Sequence, residues 1–165
     1  MLYFSYGSNM STRRLRHRIP AARFVMVAQL PGHQLRFHKR SKDLSAKADI
    51  HATGAPGDLV FGVVFELVDS DKQTLNGYEG LGQGYDEKWV ELTTMSGERI
   101  TAITYYATHI DDTLKPYHWY RHHVLTGALE YGLPESYIQT LRNIPCIDDP
   151  DPQRHAREMG IYTKP

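Results

Sequence analysis

The spacing of apolar and polar residues changes period several times along this chain. Leu2-Tyr3-Phe4-Ser5-Tyr6 is rich in aromatics and predicts a first strand, closed by a tight turn at Gly7-Ser8-Asn9. Ser11 is placed to cap a short basic helix that runs to Arg18 and stops before Pro20. Arg23 to Leu30 and Gln34 to His38 predict two more strands. Residues 39–58 are polar and carry Gly54, Pro56 and Gly57, which predicts a loop. Val60 to Val68 is nearly continuous in β-branched and aromatic side chains, the pattern of a strand buried on both faces.

Beyond it, Asp69 or Ser70 caps a helix that runs to Tyr78, with Gly80 marking its end. Lys88 to Thr94 and Arg99 to Thr108 predict two strands joined into a hairpin by Ser96-Gly97. Residues 109–116 read as a loop. A helix comes next, from Tyr117 to Tyr131, ended by Gly132, and Pro134 opens another that reaches Asn143. The segment Asp148 to Pro165 is rich in proline and charge and is expected to fray. No linker or repeat divides the chain. The reading is one α+β domain over residues 1–147, with a polar tail at 148–165. Its sheet is mainly antiparallel, mixed and barrel-like, flanked by helices.

The 165 residues fit one domain, and 41% hydrophobic with 23% charged residues is ordinary globular composition. Disorder, collagen and coiled coil are excluded. The longest apolar run, Leu59 to Phe65, is too short to span a membrane as a helix, and no signal peptide is visible. One cysteine excludes an intramolecular disulfide framework and points to a reducing cytoplasm. Net charge is zero, yet residues 1–42 hold nine Arg or Lys and no acidic residue. That segment could meet an anionic ligand or nucleic acid. Its charges are scattered, however, so neutralisation within the fold is the plainer reading and no nucleic-acid partner is expected.

Four features could carry chemistry. The turn Tyr6-Gly7-Ser8-Asn9 lies between a strand and a helix, where free N–H groups suit a carboxylate or an oxyanion. Such turns also form with no ligand. Glu79 comes four residues after Leu75, so the two share a helix face and Glu79 is carried inward. A half-buried carboxylate gains basicity; a glutamate in a last turn can equally face solvent. His118 and His122 stand four apart and could share a metal, but no third ligand is near and no metal is expected. Cys146 precedes an acidic stretch that disfavours a thiolate, so it reads as structural.

Three blocks in order then carry a family resemblance. Tyr3-Phe4-Ser5-Tyr6-Gly7-Ser8-Asn9-Met10, Gly62-Val63-Val64-Phe65 with Leu75-Asn76-Gly77-Tyr78-Glu79-Gly80, and Gly127-Ala128-Leu129-Glu130-Tyr131-Gly132-Leu133-Pro134 with Tyr137 resemble the γ-glutamylcyclotransferases of the AIG2-like superfamily. The likeness spans residues 2–145. It implies an enzyme that needs no cofactor and converts a γ-glutamyl amino acid or amine into 5-oxoproline and the free amine. By the same resemblance, Glu79 is the general acid/base. Tyr6, Gly7, Ser8 and Asn9 hold the γ-glutamyl group, with Tyr105, Tyr120 and Tyr85 beside it. Tyr85 comes after a glycine loop one residue shorter than that of animal members.

The chemistry suits these residues. The substrate's own α-amine closes a five-membered ring, so no enzyme nucleophile is needed, and a well-oriented intramolecular attack has an effective molarity of about 10⁵ M or more. The rival substrates are γ-glutamylamines, a γ-glutamyl-protected intermediate and glutathione. Glutathione-specific relatives usually carry another residue at the position of Asn9, which argues mildly against glutathione. The rival outside the enzyme class is a binding module that uses the basic segment. No membrane partner is expected, and a homodimer is open.

Overall fold

The computed structural model describes residues 1–163. Its strands are β1 (Leu2–Ser5), β2 (Arg23–Pro31), β3 (His33–Arg40), β4 (Ala46–Ala52), β5 (Leu59–Glu66), β6 (Tyr85–Thr94) and β7 (Arg99–Ala107). Its α-helices are α1 (Thr12–Arg18), α2 (Lys72–Glu79), α3 (His118–Glu130), α4 (Glu135–Arg142) and α5 (Pro152–Gly160).

Five strands close a barrel in the order β1-β5-β2-β6-β7. The most apolar stretch, β5, lies between β1 and β2, antiparallel to both. The successive residues Val63, Val64 and Phe65 are all buried, so both its faces are covered, as its composition predicted. The barrel closes where β1 meets β7 in parallel at Tyr3 and Ile103, while its other strand pairs are antiparallel. Phe4, Val63, Val64, Phe65, Leu92 and Ala102 are buried inside the fold. The larger of these side chains each contribute about 1.5–3 kcal/mol on burial. The expected α+β class and barrel-like sheet are what the structure has.

Two segments differ from expectation. The loop predicted over residues 39–58 contains β4, which pairs with β3 as a separate two-stranded ribbon. Ala46, Ala48 and Ile50 alternate on its buried face, while Lys47 and His51 are only half-buried. The period-2 signal was there, but Ala, Lys and Asp have weak strand propensity and the nearby Gly and Pro dominate the local reading. The tail also does not fray as expected. Asp151 caps α5, accepting from the N–H groups of Gln153 and Arg154 at 3.0 Å, with Pro152 at its first position. Glu158 from α5 then reaches Arg14 and His123. The expectation for residues 164 and 165 lies outside the described residues.

Gly127 sets how closely α3 approaches the barrel mouth. A Cβ there would lie 2.4 Å from the Cβ of Met10 and 2.5 Å from the nitrogen of Ser11. Only glycine lets α3 press directly on the turn after β1.

Candidate active site

β1 ends at the barrel mouth, and the chain then tightens into one 3₁₀ turn at Ser8–Met10. The N–H of Met10 returns to the carbonyl of Gly7 at 3.0 Å. The N–H groups of Gly7, Ser8 and Asn9 meet no backbone acceptor among the described residues. They line a polar cavity and are available to a ligand. Ser11 does occupy the cap position of α1, but its hydroxyl is taken by Tyr162 at 3.1 Å instead of capping the helix.

Glu79 enters the same cavity from α2. Leu75 is fully buried, and the next helical turn carries Glu79 inward on the same face. Gly80 then stops the helix in the left-handed conformation (φ +69°), its N–H returning to the carbonyls of Asn76 and Gly77. One oxygen of Glu79, Oε1, accepts from Asn9 Nδ2 at 2.7 Å and from the Tyr3 hydroxyl at 3.1 Å. Asn9 is fixed in turn, because its Oδ1 accepts from Arg18 at 3.0 Å. Arg18 itself stacks on the Tyr78 ring, 5.0 Å from its centroid. Burial raises the Glu79 pKa above its ordinary 4.5, against the opposing pull of Arg18 and of the Tyr3 hydrogen bond. Its contacts are neutral donors, so the carboxylate is oriented while keeping its basicity.

Tyrosines form the walls, held by their hydroxyls. Tyr6 donates to the carbonyl of Tyr105 at 2.6 Å. Tyr85 donates to the carbonyl of Ala48 at 2.6 Å, and Tyr120 accepts the N–H of Ala48 at 3.0 Å. The β3–β4 ribbon thus clasps two wall tyrosines through one backbone position. Tyr105 donates to Asn76 Oδ1 at 2.5 Å, which ties β7 to α2 beside Glu79. Gly7 sits in the remaining gap, where a Cβ would lie 3.2 Å from Ala48 and 3.3 Å from the Tyr120 hydroxyl.

All eight expected site residues (Tyr6, Gly7, Ser8, Asn9, Glu79, Tyr85, Tyr105 and Tyr120) line this one cavity. Sequence reasoning missed Tyr3, Arg18, Ser5 and Ala48. Tyr3 alternates with Ser5 on β1 and could have been found from that period. Ala48 contributes only backbone, so no side-chain pattern points to it. The hydroxyl of Ser5 is buried in the cavity wall without a hydrogen-bond partner. His118 turns toward Asp148 at 3.5 Å, and His122 packs on the Tyr162 ring. Burial raises the Cys146 thiol, in line with a structural role. The basic segment is largely used within the fold: Arg14 pairs with Glu158, Arg23 with Glu66, and Arg18 holds Asn9. No helix of the described residues is long and apolar enough to cross a membrane.

The barrel mouth thus brings a buried carboxylate with a raised pKa into one cavity with unused backbone donors. The AIG2-like family model matches residues 59–141. The chain is 35% identical over 147 residues to the gamma-glutamylcyclotransferase of Homo sapiens, covering 87% of this chain and 78% of that one. It is 34% identical over 149 residues to that of Mus musculus, with the same coverage. A solved gamma-glutamyl cyclotransferase superposes with a TM-score of 0.84 at 33% identity, covering 92% of this chain and 91% of that one. A yeast gamma-glutamyl cyclotransferase specific to glutathione shares the fold alone, at 14% identity and TM-score 0.54 over 99% of this chain and 96% of that one. The chain belongs to the AIG2-like family and, within it, to the γ-glutamylcyclotransferases, a cyclotransferase class of enzyme.

Proposed function

We propose that this enzyme cyclises the γ-glutamyl group of a γ-glutamyl amino acid or amine, releasing 5-oxoproline and the free amine. The observation that carries the proposal is the geometry at Glu79. Two neutral donors occupy Oε1, which leaves Oε2 to take a proton from the substrate's α-ammonium. The neutral amine attacks the γ-carbonyl, and the new C–N bond closes the five-membered ring. The N–H groups of the Gly7–Asn9 turn stabilise the oxyanion, an effect of about 3 kcal/mol per donor. Collapse breaks the original amide bond as the proton held by Glu79 passes to the leaving nitrogen, and the second proton of the attacking nitrogen, made acidic by its fourth bond, returns to the Glu79 carboxylate and leaves with the released amine as its ammonium form. Atoms and charge balance without an enzyme nucleophile or an external oxidant, so the mechanism calls for no cofactor.

Tyr6, Tyr85, Tyr105 and Tyr120 wall the γ-glutamyl subsite. A reducing cytoplasm suits the single cysteine. Asn9 stands where glutathione-specific members of the family usually carry another residue, which favours γ-glutamyl amino acids and amines over glutathione as substrates. The test is 5-oxoproline release from γ-glutamyl-alanine, a γ-glutamylamine and glutathione, by the wild type and by Glu79→Gln. Release that the variant abolishes supports the proposal, and the ranking names the leaving group. No release from any of the three would overturn it.

A further inference from the structure

We infer that His38, Asp49 and His51, on the β3–β4 ribbon, form a binding site for a divalent zinc-type cation. One donor atom from each residue lies within 4.8 Å of the other two. The backbone brings them together. Asp49 and His51 are two apart on β4, so they share a face. His38 falls where the β3–β4 register slips between Phe37 and Lys39, an extra residue that turns its ring onto that face.

The hydrogen bonding of His38 leaves a charge to be supplied. Its Nε2 lies 2.7 Å from Asp49 Oδ2, and its Nδ1 lies 3.0 Å from Asp112 Oδ1. A neutral imidazole has one N–H and cannot donate to both carboxylates. A cation bound at Nε2 leaves the Nδ1–H free to donate to Asp112. The ring nitrogens of His51 meet no hydrogen-bond partner among the described residues, and one of them lies within 4.8 Å of the donor atoms of His38 and Asp49. A metal between Nε2 and Oδ2 takes His51 as its third ligand.

The outer contacts are those of a metal site. Asp112 accepts the far N–H of His38, and the N–H of Ala107 fixes Asp49 Oδ1 at 2.7 Å. Two imidazoles and a carboxylate with one open position match zinc and disfavour the oxygen-seeking Mg²⁺ and Ca²⁺. Ligand atoms around tetrahedral zinc stand roughly 3.3 Å apart, so the His38–Asp49 pair opens by about 0.6 Å from 2.7 Å while the half-buried His51 ring closes by about 1.5 Å at most. The nearby ammonium of Lys88 is engaged with His33 at 2.9 Å. Occupancy would pin the ribbon at the residue after Ala48, whose backbone holds Tyr85 and Tyr120. Catalysis is not routed through the ion.

The experiment is calorimetric titration of the untagged enzyme with ZnCl₂ at neutral pH, together with thermal unfolding. Wild type is expected to bind one zinc per chain. At a hundredfold excess over Kd, Tm should rise by about 5–10 °C. His51→Ala should weaken binding at least tenfold and lose the zinc-dependent rise, while its zinc-free Tm stays within about 2 °C of wild type. The double variant His118→Ala/His122→Ala should bind as wild type does. Absence of saturable binding, unchanged binding in His51→Ala, or loss of binding in the double variant would each overturn the site.

Discussion

Two carboxylates in this molecule, both taken partly out of solvent, have opposite character. Glu158, on α5, meets Arg14 and also His123 at 2.9 Å. Burial alone would raise its pKa, but the His123 hydrogen bond and the Arg14 charge outweigh it and hold the carboxyl at about 2. Glu79 meets only neutral donors, and there burial wins. Arg18 stands one residue removed, spending its guanidinium on Asn9 rather than on Glu79. Direct charge pairing yields a structural anchor that stays ionised. Neutral donors backed by a distant cation yield an oriented base that can still take a proton. Without Asn9 as intermediary, Arg18 could pair with Glu79 and abolish that difference.

The largest test separates these roles. Glu79→Gln keeps the side-chain shape and a group able to accept from Asn9 and Tyr3. It should cost about 10²–10⁴-fold in kcat while leaving the fold intact. A raised folded pKa means that Glu79 favours folding while protonated and loses that contribution as pH rises through the folded value. The variant should therefore unfold at or above the wild-type temperature at pH 7, with the margin shrinking in acid. Wild-type turnover in Glu79→Gln would remove Glu79 as the base.

Glu158→Ala should do the reverse, leaving kcat nearly unchanged but costing about 2–4 kcal/mol of stability, because Arg14 loses its carboxylate. The pH dependence has a definite sign. The Glu158 contribution is present above the ordinary value of 4.5 and is lost as pH falls toward about 2. His123, held at about 4 by burial against an ordinary 6.5, withdraws support as pH falls between those values. Thermal melts of the wild type should weaken steadily from pH 6.5 downward, and Glu158→Ala should flatten the lower part of that curve. Parallel melts of the two proteins would show that α5 is not anchored by charge.

Tyr3→Phe is a finer probe. It removes a donor that favours ionised Glu79, so the acid limb of the kcat/KM profile should move to higher pH by roughly half to one unit. An unmoved limb would mean that the hydroxyl does not tune the base. The smallest effect concerns metal. Treatment with a chelator should leave kcat within about twofold, because no proton transfer at Glu79 depends on the zinc site. Loss of activity restored by zinc would tie the two sites together.

Much of this was legible because the signals are local. Gly80 ends α2 in the left-handed conformation, as a glycine after a periodic apolar run predicts. The four-residue step from Leu75 to Glu79 turned Glu79 inward by helix geometry alone. β4 and α5 were read wrongly for different reasons. β4 alternates small residues with charged ones, and it is a strand because β3 and the barrel mouth supply its partners. α5 had a legible Asp-Pro start, yet nine residues of low apolarity make a marginal helix in isolation. It becomes ordered by docking Glu158 on Arg14 and His123.

The sequence by itself determined the periods, the stops and the residues available for chemistry, since φ preferences and helical spacing act over a few residues. The tertiary structure alone decided which groups meet. Asn9 and Tyr3 reach Glu79 from 70 and 76 residues away along the chain. Arg18 is held one hydrogen bond away from the carboxylate, and the backbone of Ala48 clasps two tyrosines. A pKa depends on burial and on the nearest charges in space, and neither is encoded at any one position. The same residue type thus became a base at Glu79 and a fixed anion at Glu158.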